Sequence, residues 1–201
     1  MIDLKNQQRR LAYAARNAQA HKDEFSRIIC ERFMAQPTYQ QAETVMWYLH
    51  CRSEVRTTQA LMRELTTTKR IVIPYCTQDE QGQNKLGLWR LEDMDELVPS
   101  LWGILEPPQS RWGEAGKEVA PECLDCVMLP GVGFDRRGGR LGNGAGYYDR
   151  LLTSLRSDAV VAAVCYESQL FEHIVIAPHD VFMDFVVTEK TIYTGRGRRA
   201  N

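Results

Sequence analysis

Apolar residues follow two patterns along this chain. Over residues 3–35, Leu4, Leu11, Ala15, Ala18, Phe25, Ile28, Ile29 and Phe33 recur at helical spacing, and Pro37 closes the pattern. One long helix is predicted there. Elsewhere the apolar residues run in unbroken blocks. Residues 44–49, 71–74, 124–129, 159–165 and 185–188 read as buried strands, and 85–91 as an edge strand. Helices are predicted over 57–66, 92–97, 147–155 and 168–174. Residues 78–85 are turn-like, and 99–116 form a Pro- and Gly-rich connection.

Strands therefore alternate with helices, and the strands are continuously apolar. A mainly parallel sheet covered on both faces buries such strands, so the expectation is a three-layer α/β/α fold with a Rossmann-like sheet. No repeat and no linker divides the chain. Residues 1–195 are expected to form a single domain, with a loose basic tail over 196–201.

Composition narrows the function. The chain has 201 residues, 44% hydrophobic and 25% charged, which excludes disorder. Its longest apolar run is the eight residues 159–166, too short to span a membrane. The first ten residues hold no apolar signal core. A net charge of −1 gives no global field for nucleic acid. Six cysteines sit mostly in apolar stretches, as buried free thiols do. Cys123 and Cys126 form a lone C-x-x-C without the second pair that a zinc site needs. A monomer in the reducing cytoplasm is expected, with neither membrane nor nucleic acid as partner.

The glycines carry the chemistry. Seven of fourteen fall between 131 and 146, in LPGVGFDRRGGRLGNGAGYYDR. The stretch follows a strand and opens a helix, where backbone N–H groups can approach an anion. It contains no G-x-x-x-x-G-K-[ST], and Gly142, Gly144 and Gly146 read G-x-G-x-G, not the dinucleotide G-x-G-x-x-G. A phosphate site of another kind remains, with Arg140 at its mouth. Lys5, Arg9 and Arg16 lie within roughly 40° of one another on the first helix, a row of cations suited to polyphosphate. Asp149 and Asp180 are candidate Mg²⁺ ligands, with Asp184 as a spare, because a nucleotide-bound Mg²⁺ needs only one or two carboxylates.

Together with the N-terminal K-x-x-x-R, the segment 102–107 (WGILEP) and the later PHDVFMDFVVTE, this glycine-rich string resembles the 5-formyltetrahydrofolate cyclo-ligase family, also called methenyltetrahydrofolate synthetases. The resemblance covers nearly the whole chain in order. It implies ATP-dependent cyclisation of 5-formyltetrahydrofolate to 5,10-methenyltetrahydrofolate through a phosphorylated formyl group, with ADP and phosphate released. By matching position it implies that Lys5, Arg9, Arg140, Leu141, Gly142, Asn143, Gly144, Ala145, Gly146, Tyr147 and Tyr148 bind ATP. It places Asp149 and Asp180 on Mg²⁺. It sets Cys51, Glu54, Arg56, Trp102 and Tyr147 beside the reduced folate, with Arg140 and Tyr147 at the reacting centre.

Two positions depart from the family's pattern. Arg56 stands where an acid is usual, and Asn143 or Ala145 stands where a basic residue often occurs. A nucleotide-binding or regulatory protein on the same fold, or a ligase with an altered substrate, is the alternative they motivate.

Overall fold

Alternation within short strands decides the layering. In the strand Thr44–Met46 and the residue after it, Val45 and Trp47 face one side while Met46 faces the other. The same split recurs for Ile71 and Ile73 against Val72, and for Cys126 and Met128 against Val127 and Leu129. Each strand thus feeds two cores, and each core needs its own cover. This is why the strands read as unbroken apolar runs.

The computed structural model describes residues 2–100, 103–177 and 180–198. Trp102 lies outside the described residues. In chain order the elements are α1 (Ile2–Ala18), α2 (Lys22–Met34), α3 (Pro37–Gln41), β1 (Thr44–Met46), α4 (Thr58–Glu64), β2 (Arg70–Gln78) and β3 (Asn84–Leu91). They continue with β4 (Val98–Pro99), β5 (Leu105–Glu106), β6 (Cys126–Leu129), β7 (Gly133–Asp135), β8 (Arg140–Leu141) and α5 (Tyr147–Ser154). Last come β9 (Val160–Val164), β10 (Leu170–Phe171), β11 (Phe185–Val187) and β12 (Ile192–Thr194). The main sheet has seven strands in the order β12-β11-β9-β6-β1-β2-β3. Its five inner strands are parallel, and β3 and β12 flank them antiparallel. Ile29, Phe33, Tyr39 and Leu61 from α2 to α4 cover one face, and Leu151, Leu152 and the following Leu155 cover the other. The three-layer α/β expectation holds. No helix among the described residues is long and apolar enough to cross a membrane.

Four expectations are corrected. The helix over 3–35 is two helices. His21 takes a left-handed conformation at φ 53°, and the Lys22 ammonium donates to the carbonyls of Asn17 and Gln19 at the end of α1. The break also changes which face is buried. On α1 the buried residues are Ala12 and Arg16, while Leu4 and Leu11 are 54% and 56% exposed. The cationic face turns inward and the leucines outward, the reverse of an apolar-core reading.

The helix over 168–174 is instead a tight 3-10 turn at Glu167–Gln169 followed by β10, which pairs with β7 in a small three-stranded sheet with β8. The Gln169 side chain holds this turn, accepting from the Tyr166 amide and donating to the Gly131 and Val132 carbonyls. Finally, the tail is tied down through residue 198. Strand β12 adds to the sheet edge, and the Arg196 and Gly197 amides donate to Arg137 and Met183. The Arg198 guanidinium donates to carbonyls of Leu152, Leu155, Arg156 and Ala159 around the end of α5.

Candidate active site

Strand order locates the site. From β1 the chain moves to β2 on one side, and later β6 pairs on the other side of β1. At such a reversal the segments leaving the carboxyl ends of adjacent strands part, and open α/β sheets bind ligands in the crevice. Here a cavity of about 570 Å³ lies between residues 48–54 after β1 and Pro130 and Gly131 after β6. That is the size of a small-molecule site.

One end of the cavity is the glycine-rich stretch. Arg140, Gly142, Asn143, Gly144, Ala145, Gly146, Tyr147, Tyr148 and Asp149 all line it. Gly144 and Gly146 stand at φ 95° and 71°, a left-handed backbone that glycine adopts without strain. Gly146 is the residue from which α5 starts. Two loop carbonyls are bound from outside: Arg9 donates to Gly142 at 2.9 Å and Arg150 to Ala145 at 2.9 Å. A cation thus stands at the Ala145 turn, although it comes from Arg150. Among the described residues, the N–H groups of 143–146 donate to no backbone acceptor. The unpaired amides of the first turn of α5 lie beside them. Tyr13 on α1 donates to the Asn143 side chain, fastening helix to loop.

Arg140 is the buried cation of this end. Its side chain is 6% exposed, donates to the Pro130 carbonyl at 3.3 Å and to Asp149 at 2.7 Å, and lies over the Tyr148 ring. Burial and the nearby Glu54 push the Tyr148 hydroxyl well above its ordinary value, so it stays a proton donor. Leu141 sits in β8 and is buried behind the loop; it does not line the cavity.

The other end comes from separate parts of the chain: Tyr48, Leu49, Cys51, Arg52 and Glu54 after β1, Pro74 and Cys76 on β2, Asn84 and Leu86 on β3, and Ile104 and Glu106 at β5. Glu54 accepts from the Cys51 amide at 3.0 Å and lies 3.6 Å from Arg16. Burial raises its carboxyl above the usual range, and the Cys51 amide, Arg16 and Arg52 pull the other way. Arg16 is itself buried and donates to Ser53 and to the Gly131 carbonyl, which joins α1 to both loops of the crevice. Glu106 accepts from the Cys76 amide at 2.8 Å. Burial pushes the Cys76 thiol up to about 11, with Glu106 adding to the rise. Sequence reasoning found none of Tyr13, Tyr48, Cys76 and Glu106. Only WGILEP, already singled out as a segment, pointed toward Glu106.

Several expected residues fall outside the lining. Lys5 is paired with Asp180 at 2.6 Å, and Asp180 also accepts from the Ala177 amide. Asp184 accepts from the Val161 amide and its carbonyl receives the Gly195 amide, so it holds the sheet edge in place. Arg56 is paired with Asp23 on α2, on the outer surface. Its amide and carbonyl are bound to Ser26 and Cys30, which fixes the backbone in that direction. The departure at Arg56 therefore places no guanidinium on the cavity wall.

The signature FD residue belongs to the frame. Asp135 is fully buried and accepts from the amides of Arg137, Gly139 and Ile174 and from the Arg137 guanidinium. Burial alone would raise its carboxyl, but the Ile174 and Gly139 amides and Arg137 outweigh it and hold it low.

A glycine-rich loop and a buried arginine at the switch point of a parallel sheet are an arrangement suited to a nucleotide-using α/β enzyme. The 5-formyltetrahydrofolate cyclo-ligase family model matches residues 3–189. A 5-formyltetrahydrofolate cyclo-ligase of Mycolicibacterium smegmatis is 35% identical over 147 residues, 73% of this chain and 74% of that protein. The Arabidopsis thaliana mitochondrial 5-formyltetrahydrofolate cyclo-ligase is 31% identical over 76% of this chain, which spans 61% of the Arabidopsis protein. The solved structure of Aquifex aeolicus 5,10-methenyltetrahydrofolate synthetase superposes with a TM-score of 0.79 at 28% identity, covering 98% of this chain and 96% of that one. The chain belongs to the 5-formyltetrahydrofolate cyclo-ligase family, whose members are ATP-dependent ligases acting on a reduced folate.

Proposed function

We propose that the glycine-rich end of the cavity binds the ATP phosphates and the opposite end the 5-formyltetrahydrofolate, so that the formyl oxygen meets the γ-phosphoryl between them. The observation that carries this reading is the pairing of the 143–146 amides with buried Arg140 at one end of a single cavity. ATP is a substrate here, consumed at each turnover.

The chemistry needs alignment and charge neutralisation more than a base. The formyl oxygen is a weak nucleophile, and as an oxide it would be a poor leaving group. Its attack on the γ-phosphorus breaks the bond to the ADP oxygen, releases ADP, and turns the formyl oxygen into a phosphate ester. N10 then attacks the formyl carbon, the C–O bond breaks with its electrons leaving on phosphate, and N10 gives up its proton. Charge on the transferring phosphoryl is met by preorganised donors. Arg140, buried and fixed by Asp149 and Pro130, and the amides of Asn143 to Gly146 are those donors. Arg9 acts through the loop, by holding the Gly142 carbonyl. Tyr147 stands where the two substrates meet.

A nucleotide-bound Mg²⁺ fits one end of this donor set. Asp149 lines the cavity and has one oxygen paired with Arg140, leaving the second for a cation; a nucleotide-bound Mg²⁺ needs no more than one or two carboxylates. Asp149 is the residue that would hold it, and Asp180, paired with Lys5, would enter only from outside the lining. Bound there, the ion would offset phosphate charge.

The test is an absorbance assay with protein, MgATP and 5-formyltetrahydrofolate. Growth of the methenyl chromophore, with one ADP formed per chromophore, is expected. A folded protein that binds ATP and yields no chromophore overturns the reading.

A further inference from the structure

We propose that Glu106 is the carboxylate that receives the paired N–H donors of the substrate's pterin ring, and so sets which way the folate enters the cavity. The proposal rests on the folate reading above.

Among the described residues, three carboxylates line the cavity: Glu54, Glu106 and Asp149. Two are compensated by the protein. Asp149 is paired with Arg140 at 2.7 Å. Glu54 has Arg16 at 3.6 Å and the Cys51 amide at 3.0 Å. Glu106 differs. One oxygen, Oε1, accepts from the Cys76 amide, and among the described residues no Lys, Arg or His forms an ion pair with it. A carboxylate is acceptor-only, with about four lone-pair sites, so most of its capacity is left for a ligand.

The ligand chemistry follows. ATP phosphates and the folate's glutamate tail are anions and are repelled by Glu106. The one part of the substrate rich in donors is the 2-amino-4-oxopyrimidine edge of the pterin. There N3–H and the 2-amino group point the same way and can meet one carboxylate in a two-pronged, charge-assisted arrangement. Cys76, whose amide is bonded to Glu106, and Tyr147, at the start of α5, line the same cavity. A pterin anchored at Glu106 thus lies against Tyr147, at the boundary with the phosphate loop, where N5 and its formyl group must sit. Arg56, turned toward Asp23, has no part in this contact.

The experiment is Glu106→Gln. Glutamine keeps the shape and an oxygen for the Cys76 amide, but turns an acceptor into a donor facing donors. Dissociation constants are measured by calorimetry with a non-hydrolysable ATP analogue present, for 5-formyltetrahydrofolate and for its 2-desamino analogue. Wild type should bind the 2-amino compound about 10- to 100-fold more tightly than the analogue. Glu106→Gln should lose most of that preference while binding the ATP analogue unchanged. Equal affinity of wild type for the two folates overturns the proposal, whether or not the variant folds. So does a variant that keeps the full preference, since a residue that only holds Cys76 would leave discrimination intact. Binding is read separately from turnover: folate bound without methenyl product would sink the ligase reading and leave this one standing.

Discussion

At its glycine-rich end the cavity is walled mainly by one stretch of chain, residues 140–149; at its opposite end it is walled by four, 48–54, 74–76, 84–86 and 104–106. The first end depends on local backbone geometry: two left-handed glycines, a helix start, and an arginine held by an aspartate nine residues on. The second depends on the sheet bringing β1, β2 and β3 side by side, and on β5, paired with β4 outside that sheet, meeting β2 through the Cys76 amide and the Glu106 carboxylate. A phosphate is recognised by a local string of amides, whereas a heterocycle needs walls from several directions. Damage to the first end should therefore appear as lost ATP chemistry, and damage to the second as lost folate selectivity.

The largest expected effect comes from breaking the first end. Arg140→Met removes the buried cation while keeping bulk against Tyr148. Loss of one preorganised donor to a transition-state oxyanion costs about 10²–10³ in kcat. Steady-state kinetics should show that loss with the folate KM little changed. A variant that retains a tenth or more of the wild-type kcat would remove Arg140 from the reacting centre.

This difference between the ends also explains what could be read in the sequence. The loop lies in consecutive residues, so its glycines, Arg140 and Asp149 were visible together. Glu106 and Cys76 are thirty residues apart and meet only because β5 packs near β2. Arg16 was visible as a cation in register with Lys5 and Arg9, but its burial was not, because Leu4 and Leu11 supply a competing apolar face. The outward turn of Arg56 was hidden as well: it depends on Ser26 and Asp23, on a different helix. The sheet was legible because fully buried strands need unbroken apolar runs. Strand β12, short and partly exposed beside Gly195, carried no such run.

Asp135 separates frame from chemistry within the signature itself. Asp135→Asn puts an amide N–H₂ among three backbone donors and discards the charge. We expect a loss of about 2–3 kcal/mol in unfolding free energy at neutral pH, measured by urea titration. The pH dependence has a definite sign. The folded carboxyl lies below its ordinary 3.8, so its contribution is full above that value and disappears as pH falls through the lowered one. The gap between wild type and variant should narrow in acid. A constant gap from pH 7 to pH 3 would mean that shape, not charge, explains the loss.

A smaller effect is expected at Asp149, and it distinguishes the two candidate metal ligands. Asp149→Asn should raise the Mg²⁺ concentration for half-maximal rate on the order of tenfold, through loss of an anionic oxygen at the cavity wall. Asp180→Asn should leave that value within about twofold, because its carboxylate is engaged by Lys5 and the Ala177 amide away from the lining. Equal shifts in the two variants would bring Asp180 back to the metal.

The smallest effect belongs to Arg56, and it tests whether the proposed folate end stops short of this residue. Its guanidinium is 42% exposed and its partner Asp23 is 83% exposed, so the pair is solvated and worth only a few tenths of a kcal/mol. The nearby His50 is held below its ordinary value mainly by burial and then by the Arg56 charge, so that charge does reach the segment after β1. The influence is electrostatic and screened by water, without contact to the cavity. Arg56→Ala should therefore leave the folate KM and kcat within about twofold and lower stability by less than about 0.5 kcal/mol. Arg56→Glu, which supplies the acid usual at this position, should also leave the folate KM unchanged, because the backbone bonds to Ser26 and Cys30 keep the side chain at this position on the outer surface. A tenfold gain in folate affinity from Arg56→Glu would show that this segment turns inward when substrate binds, and the boundary drawn here would move with it.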